Sequence, residues 1–303
     1  MPITHNPTIR QRRLARTLKD LRIAAGLKHS DAAEILGCAE SKMTRIENAQ
    51  SGIRLLDLRA LLDAYRVTNT AQRAEIEKLA KDARQKGWWV QYANSIDSAY
   101  AAYIAIESDA SEVYDVETSL VPGLLQTPAY TRAVIRIQAP DASQENVDTQ
   151  VKVREERRKV LTREGNPVHL WVILSEAILR HRVGSSEIMR EKLEYLLSAS
   201  EETNIELQVL PTDSPLNASL FGPFVIMNFP SASELDIACA ESNTGTVYHE
   251  EQSNTEKYRT LFRRLNVAAC DVSRSRSLIR KAIEEMVAKW RTESLASQKN
   301  RSG

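Results

Sequence analysis

The first 86 residues repeat apolar side chains at helical spacing. In residues 9–25 they recur every three or four positions, which predicts an amphipathic helix; they are Leu14, Leu18, Leu21 and Ala25. Further helices are predicted at 30–36, 39–48, 55–65 and 71–86. Gly26 and Gly37 follow the first two helices, where glycine commonly caps a helix C-terminus. The pattern therefore predicts a compact five-helix bundle.

The segment 87–165 is also predicted to be helical. It opens with GWWVQYANS, whose aromatic residues Trp88, Trp89 and Tyr92 suit either a packing hinge between helices or a base-stacking platform. The hinge is favoured because aromatic residues at a helix junction usually pack. A helix is predicted over 95–120 from apolar positions spaced three to four apart: Tyr103, Ile106, Ala110, Val113 and Tyr114. Two more helices are predicted at 129–137 and 145–163.

From Pro167 the apolar pattern changes to short runs that are typical of strands. The run VHLWVILSEA predicts one strand, and further strands are predicted at 205–210, 223–228, 235–240 and 246–250. Helices are predicted at 185–202, 255–266 and 273–290, and the tail after Thr292 is predicted to be disordered. The strand–helix–strand order of 168–210 predicts a parallel pair with a right-handed crossover, and the later strands are predicted to be antiparallel.

The fold class is thus mostly α plus α+β, with a bundle followed by a four- to five-stranded mixed sheet and packed helices. The predicted domains are a helical head at 1–86, a helical linker at 87–165, an α+β sensor and dimerisation domain at 166–292, and a tail at 293–303.

Composition narrows the class of protein. An apolar fraction of 42% and a charged fraction of 27% are ordinary for a soluble chain. No apolar run approaches the roughly 20 residues that span a bilayer, and the amino terminus lacks the apolar segment of a secretion signal. The three cysteines are Cys38, Cys239 and Cys270, without a C-x-x-C pair, so reduced thiols in a cytoplasmic protein are expected. Cys38 is expected to pack in a turn rather than to act as a redox switch.

Charge divides unevenly along the chain. Residues 1–86 hold 17 Lys and Arg against 10 Asp and Glu, a balance of +7, although the whole chain carries only +1. A basic head on an acidic body suggests that the head binds a polyanion.

One segment of the head resembles a known DNA-binding motif. Leu21-Arg22, Gly26-Leu27, Ala33, Leu36-Gly37-Cys38 and the run SKMTRIEN resemble the helix-turn-helix of Xre and phage-repressor proteins. The resemblance implies that 39–48 is the recognition helix, which enters the major groove of double-stranded DNA.

The same resemblance assigns roles to side chains of the head. The candidates for base edges and nearby phosphates are Glu40, Ser41, Lys42, Thr44 and Arg45. His29 and Ser30 would meet backbone phosphate at the start of the preceding helix, and Arg22 and Glu47 would form a structural ion pair. Lys28-His29 departs from the usual Thr-Gln or Ser-Gly opening of that helix. The competing interpretation is a plain bundle whose polar faces are only solvated.

The remainder of the chain, from Gly87 to about Lys289, resembles the C-terminal domain of WhiJ-like regulators of filamentous high-GC bacteria. The markers of this resemblance are GWW, VPGLLQTPAY, SEAILRHRVG, VLP, GPF and the end of the strand at Ala240-Glu241-Ser242. It implies transcriptional regulation, homodimerisation and pairing with a small acidic partner protein that is often encoded nearby.

Catalytic motifs are scarce in this sequence. Tyr248-His249-Glu250-Glu251 lacks H-E-x-x-H spacing, and no G-x-S-x-G elbow, G-x-G-x-x-G loop or Walker loop occurs. We therefore expect neither an enzyme nor a cofactor or metal site, although a Ser/Lys self-cleaving repressor stays open.

The stretch VPGLLQTPAY at 121–130 combines one Gly and two Pro in a chain with 10 of each. It suits either a ligand loop or a structural joint, and the joint is favoured because no glycine-rich helix N-terminus follows Gly123. Candidate residues for a ligand or partner site in the body are Leu124, Gln126, Glu176, Arg180 and Glu241.

The sequence predicts a homodimeric, sequence-specific transcriptional regulator in the cytoplasm, at the nucleoid. It would read a pseudo-palindromic operator and receive a signal from a ligand or small partner protein, with no membrane association. The alternative is an antitoxin-like protein that neutralises a small acidic partner and binds DNA only to regulate itself.

Overall fold

A computed structural model describes residues 9–84, 87–93, 95–230, 236–242 and 245–301, with the backbone alone at 9, 241–242, 287 and 289–301. Some predicted elements contain positions 85–86, 94, 235 or 302–303, and at those positions they lie outside the described residues. The chain divides into two compact units, Met1–Asp109 and Ala110–Gly303. Nowhere in the described ranges does a helix combine the length and apolarity needed to cross a membrane.

The N-terminal unit is helical, as the apolar spacing predicted. Its helices are α1 (Ile9–Ala24), α2 (His29–Ile35), α3 (Glu40–Glu47), α4 (Leu55–Ala64), α5 (Thr70–Asp82) and α6 (Ser98–Asp109), with a 3-10 turn at Trp88–Tyr92 before α6. Its core contains Leu18, Met43 and Leu58, none of which has exposed surface. Helices α2 and α5 add Ala33 and Ile76 to the same core. The predicted five-helix bundle is therefore confirmed.

Backbone geometry fixes where these helices end. After α1, the N–H groups of Gly26 and Leu27 donate to the carbonyls of Ile23 and Arg22 at 2.9 and 3.1 Å. Gly26 has φ +72° and Gly37, after α2, has φ +57°, values that glycine adopts without a Cβ penalty. The same cap follows α3 and α4 with non-glycine residues, Ala49 at φ +58° and Arg66 at φ +56°. Those two ends therefore carry backbone strain.

The predicted helix over 95–120 was wrong beyond Asp109. The chain instead forms a strand, β1 (Glu112–Glu117), which has a hydrogen-bonded neighbour on each side. Val113 and Val116 are buried in this strand. Valine prefers extended backbone, and pairing along both edges satisfies every backbone group that a helix would have satisfied internally.

The C-terminal unit packs helices on a sheet. After β1 and a 3-10 turn (Gly123–Leu125) its elements are α7 (Pro128–Gln138), α8 (Gln144–Arg158), a 3-10 turn (Lys159–Leu161), β2 (His169–Ser175), α9 (Ala177–Arg180), α10 (Ser186–Ala199), β3 (Ile205–Leu210), a 3-10 turn (Ala218–Leu220), β4 (Phe224–Asn228), β5 (Ile237–Ser242), β6 (Gly245–His249), α11 (Gln252–Ala268) and α12 (Val272–Arg301).

The sheet is mixed, with strand order β3-β2-β1-β4-β5-β6. Strands β1, β2 and β3 are parallel, and β4, β5 and β6 add in antiparallel pairs. The predicted parallel pair, β2 and β3 joined through α10, is confirmed, as is the mixed sheet. The sheet has six strands rather than four or five because β1, predicted to be helical, lies at its centre.

The last helix is longer than predicted. The segment after Thr292 was predicted to be disordered, but α12 continues through Arg301. The run ESLASQKNR at 293–301 contains no glycine or proline, so no residue in it interrupts the helical hydrogen bonds that begin at Val272.

Candidate nucleic-acid interface

A tight turn joins α2 to α3 and sets the direction of the second helix. The N–H groups of Gly37 and Cys38 donate to the carbonyls of Glu34 and Ala33 at 3.0 and 2.9 Å. This pair of bonds closes α2, and Ala39 then takes an extended conformation as the residue that precedes α3. Cys38 is half-buried in the turn and packs against the core of the unit.

Helix α3 separates a buried face from an exposed polar face. Met43, Ile46 and Glu47 are buried. The exposed residues are Glu40, Ser41, Thr44, Arg45 and Asn48. Their spacing places them along one side of a short helix whose width suits the major groove. These small polar and basic side chains are able to donate and accept hydrogen bonds at base edges.

A buried ion pair ties α3 to α1. The guanidinium of Arg22 donates through Nε to Glu47 Oε1 at 2.6 Å and through Nη2 to Glu47 Oε2 at 2.8 Å. Arg22 is 6% exposed and Glu47 is 7% exposed, so neither charge is solvated. The hydrogen bond to Glu47 raises the pKa of Arg22 above its usual value. A bidentate contact of this kind fixes the rotation of α3 about its own axis.

His29 extends this ion pair. Its Nε2 lies 3.0 Å from Glu47 Oε2 and 3.3 Å from Arg22 Nη2. The ring is therefore held against the Arg22–Glu47 pair. Both His29 and Glu47 thus help to hold the two helices together.

The start of α2 carries its own carboxylate. The backbone N–H of Lys28 donates to Asp31 Oδ2 at 2.7 Å, and Ser30 Oγ donates to Asp31 Oδ1 at 3.4 Å. Since a helix N-terminus attracts negative charge, Asp31 and a DNA phosphate would compete for the same position. Lys28 and Ser30 are exposed beside it.

Lys42 lies on the flank of α3, not on its exposed face. Its Nζ is 3.7 Å from Asp57 Oδ2 in the first turn of α4, and its side chain is about one-third exposed. Arg45, by contrast, is exposed on the outer face. Of the two basic residues predicted on the recognition helix, Arg45 has the geometry that suits direct contact with bases.

Two residues at the interface were missed in the sequence analysis. Asn48 follows α3 on its exposed side, and Arg54 is the exposed residue immediately before α4, three positions from Asp57. Arg54 could have been identified from the sequence, because it immediately precedes a predicted helix and a side chain at that position can reach a backbone phosphate.

The stretch VPGLLQTPAY is a buried joint in the C-terminal unit. Gln126 is buried; its Nε2 donates to the carbonyl of Val121 at 2.8 Å, and its Oε1 accepts from Arg154 Nη1 at 3.0 Å and Thr131 Oγ1 at 3.1 Å. Leu124 is buried as well. Gln126 therefore ties this stretch to α7 and α8, and neither candidate residue of the stretch is exposed.

The other candidate residues of the body form a separate network. Glu176 accepts the Thr212 backbone N–H at 3.0 Å, which is the main reason why its pKa falls below the usual value. Arg180 Nη1 donates to Glu176 at 2.6 Å and its Nε donates to Glu285 at 3.3 Å. Glu241 pairs with Thr246 in the β5–β6 ladder, and its side chain lies outside the described residues.

Cysteine and metal chemistry receive no support from these contacts. Cys38, Cys239 and Cys270 form no disulfide bond within the described part of the chain. Over the described ranges, no three or more His, Cys, Asp or Glu side chains gather in a way that could hold a metal ion.

Two family models match this chain. A model described as a domain of unknown function (DUF5753) matches residues 100–281, and a model described as a helix-turn-helix domain matches residues 13–76. No curated protein and no solved structure matches the chain. The second match covers the segment that contains the α2–α3 motif, and it indicates DNA binding and transcription regulation.

Proposed function

Because the chain belongs to the family that shares the DUF5753 domain, here with a helix-turn-helix domain ahead of it, we propose that it is a sequence-specific transcriptional regulator. The observation that carries the proposal is the exposed polar face of α3 on a helix held by the buried Arg22–Glu47 pair. A rigidly held reading helix keeps its side chains in register with the bases.

The contacts divide into base readers and phosphate contacts. Arg45 is assigned to a guanine edge, since a guanidinium pairs with the two major-groove acceptors of guanine. Ser41 and Thr44 accompany it on the exposed face. Glu40 would accept a hydrogen bond from a cytosine amino group or stay out of contact.

Lys42 is assigned to phosphate. Its flanking position beside Asp57 directs the ammonium away from the outer face of α3, toward the first turn of α4, which Arg54 precedes. A lysine that contacts phosphate contributes affinity that depends on salt but carries little sequence information.

Selection from random duplexes tests the role of Arg45. The full-length chain is expected to enrich a motif, and Arg45→Ala is expected to lose preference at one or more positions of it by about 1–3 kcal/mol. The matched control is Lys78→Ala, which removes one exposed positive charge from α5 and is expected to leave the motif unchanged. If Arg45→Ala enriches the wild-type motif with equal strength, α3 is not the reading helix.

Salt titration tests the role of Lys42. Lys42→Ala is expected to weaken binding to all sequences alike and to reduce the slope of log affinity against log salt by about 1. A change in base preference with an unaltered salt slope would move Lys42 from the phosphate contacts to the base readers.

We further propose that the regulator acts as a homodimer and carries no catalytic activity. One small head gives modest specificity, whereas two heads about 34 Å apart read a pseudo-palindrome along one face of DNA. The measurement is the mass of the full-length chain by light scattering, together with the symmetry of the selected motif. A monomer that selects an asymmetric site would refute the dimer.

The resemblance to WhiJ-like regulators also supports a small acidic partner protein encoded nearby. Tagged full-length chain, expressed with its neighbouring reading frames, is expected to co-purify with a short acidic protein. Purification of the chain alone under these conditions would remove this part of the proposal.

A further inference from the structure

A cleft of about 480 Å³ opens on one face of the sheet in the C-terminal unit, beside α11. Its lining comes from β1, β2 and β4 on one side and from residues 259–267 of α11 on the other. This volume is in the range of sites that bind small molecules. None of the five residues predicted for a ligand or partner site lies among its lining residues.

Three aromatic rings shape the cleft. The rings of Tyr114 and Trp171 lie side by side with centroids 6.1 Å apart and planes inclined by 32°. Phe262 stands nearly perpendicular to both, at 77° to Tyr114 and 81° to Trp171. Tyr114 and Trp171 are partly exposed and form the aromatic floor of the cleft, whereas Phe262 is 4% exposed and packs edge-on against both. The floor accepts a flat ring beside Phe262.

Hydrogen bonds hold this corner in place without a ligand. Trp171 Nε1 and Asn266 Nδ2 both donate to Gln208 Oε1 at 2.7 Å, and Gln208 Nε2 donates to the carbonyl of Cys270 at 3.0 Å. Tyr114 Oη donates to Glu112 Oε2 at 3.0 Å. The floor is thus preorganised, which reduces the ordering cost of binding.

The open side of the cleft carries two arginines, each paired with an acidic side chain. Arg259 and Arg263 both line it, one helical turn apart on α11. Arg259 contacts Asp236 and Asn228, and its Nε lies 3.9 Å from Glu256 Oε2. Glu256 is also the acidic contact of Arg263. The side chains of Arg263 and Glu256 are 63% and 56% exposed, and ion pairs at such positions are weak. A ligand carboxylate can therefore replace Glu256 beside Arg263 at little cost.

We propose that this cleft binds a small planar aromatic carboxylate. The ring stacks on Tyr114 and Trp171 against Phe262, and the carboxylate pairs with Arg263 and Arg259. The site goes beyond the proposed function, because it concerns the C-terminal unit and is tested by ligand binding without DNA.

The test is calorimetric titration of the full-length chain with 2-naphthoate, compared with the neutral naphthalene-2-carboxamide. Saturable binding of 2-naphthoate is expected, with the amide weaker. Arg263→Gln is expected to weaken 2-naphthoate about two- to fivefold and to leave the amide unchanged. The matched control is Arg264→Gln, which removes the same charge from the next, exposed position of α11, outside the cleft lining.

A second variant tests the position of the cleft. Val267 is 86% exposed at the mouth, so Val267→Asp adds a negative charge there without removing a packed side chain, and it is expected to weaken 2-naphthoate. The proposal is overturned by non-saturable or absent binding of 2-naphthoate, by equal affinity for the amide, or by equal effects of Arg263→Gln and Arg264→Gln. Wild-type affinity in both Arg263→Gln and Val267→Asp overturns it as well.

Discussion

Lys192 on α10 has no exposed surface, and replacing it tests how the C-terminal unit accommodates a buried cation. Its Nζ donates to the carbonyl of Ile178 at 3.1 Å and lies 5.3 Å from the centre of the Tyr130 ring. Burial lowers the pKa of Lys192 from 10.5 to about 8. The change Lys192→Met keeps a side chain of similar length and removes the charge.

The expected size of the effect follows from these contacts. A pKa that falls from 10.5 to about 8 corresponds to a penalty of roughly 3 kcal/mol on the charged form in the folded chain. Against this, the variant loses a hydrogen bond of about 1 kcal/mol and a cation–π contact of about 1 kcal/mol. Lys192→Met is therefore expected to be about 1 kcal/mol more stable than the wild type at pH 7.

The pH dependence gives the sharper result. Below the folded pKa of about 8, both the folded and the unfolded chain hold the lysine proton, so the penalty is fully present. Between that pH and 10.5 the unfolded chain still binds the proton that the folded chain has released, so wild-type stability rises with pH. From pH 7 to pH 10 the free energy of unfolding of the wild type should therefore rise by about 2 kcal/mol relative to that of Lys192→Met.

Urea denaturation, followed by circular dichroism at several pH values, measures this difference. Burial also raises the pKa values of Tyr114 and Tyr130, and removing the cation beside Tyr130 raises the pKa of that hydroxyl further. Both tyrosines therefore hold their protons in the folded form of either chain. Lys152→Met, at an exposed position on α8, is the control and should show no such pH dependence. A difference between wild type and Lys192→Met that is constant from pH 7 to pH 10 would refute the desolvation of Lys192.

Three further predictions concern the N-terminal unit and are measured by its unfolding midpoint. Tyr65 is buried and its hydroxyl finds no hydrogen-bond partner in the described part of the chain, so Tyr65→Phe should stabilise the unit by about 1 kcal/mol; a loss would reveal a partner for the hydroxyl. Arg66→Gly should raise the stability of the unit by about 1 kcal/mol, because glycine adopts the φ of +56° without strain. Arg66→Ala retains the Cβ and should not raise it; equal effects of the two variants would show that the Arg66 side chain, and not the backbone, causes the change. Glu47→Gln should lower the stability of the unit by about 3 kcal/mol, because it leaves the buried Arg22 charge without a carboxylate. An unchanged stability would contradict the burial of this ion pair.

The helices of the head were predictable because their signals are local. The apolar stripe of α1 and the glycines at 26 and 37 each act within one or two helical turns. The structure has five helices at the positions that these local patterns predicted. The exposed side of α3 follows from the same period, since burial of Met43 and Ile46 leaves Ser41, Thr44 and Arg45 outside. The contact between Lys42 and Asp57 needed the packing of α3 beside α4.

The strand β1 was not predictable from its own residues. Apolar side chains at Ala110, Val113 and Tyr114 fit a helical period, and residues 113, 114 and 116 fit a strand equally well. Hydrogen bonding to β2 and β4 decides between the two, and those partners follow β1 in the chain by more than 50 residues.

By itself, the sequence determined the helices of the N-terminal unit, the two glycine caps and the apolar period that leaves one face of α3 polar, because each of these depends on residues within one or two helical turns. Only the tertiary structure decided the centre of the sheet, the burial of Lys192 and the cleft beside α11. Tyr114, Trp171 and Phe262 are distant in the chain, and they meet because the parallel register pairs Tyr114 with Trp171 and α11 then packs across both strands. Such contacts are set by the burial of whole faces, which no local pattern encodes.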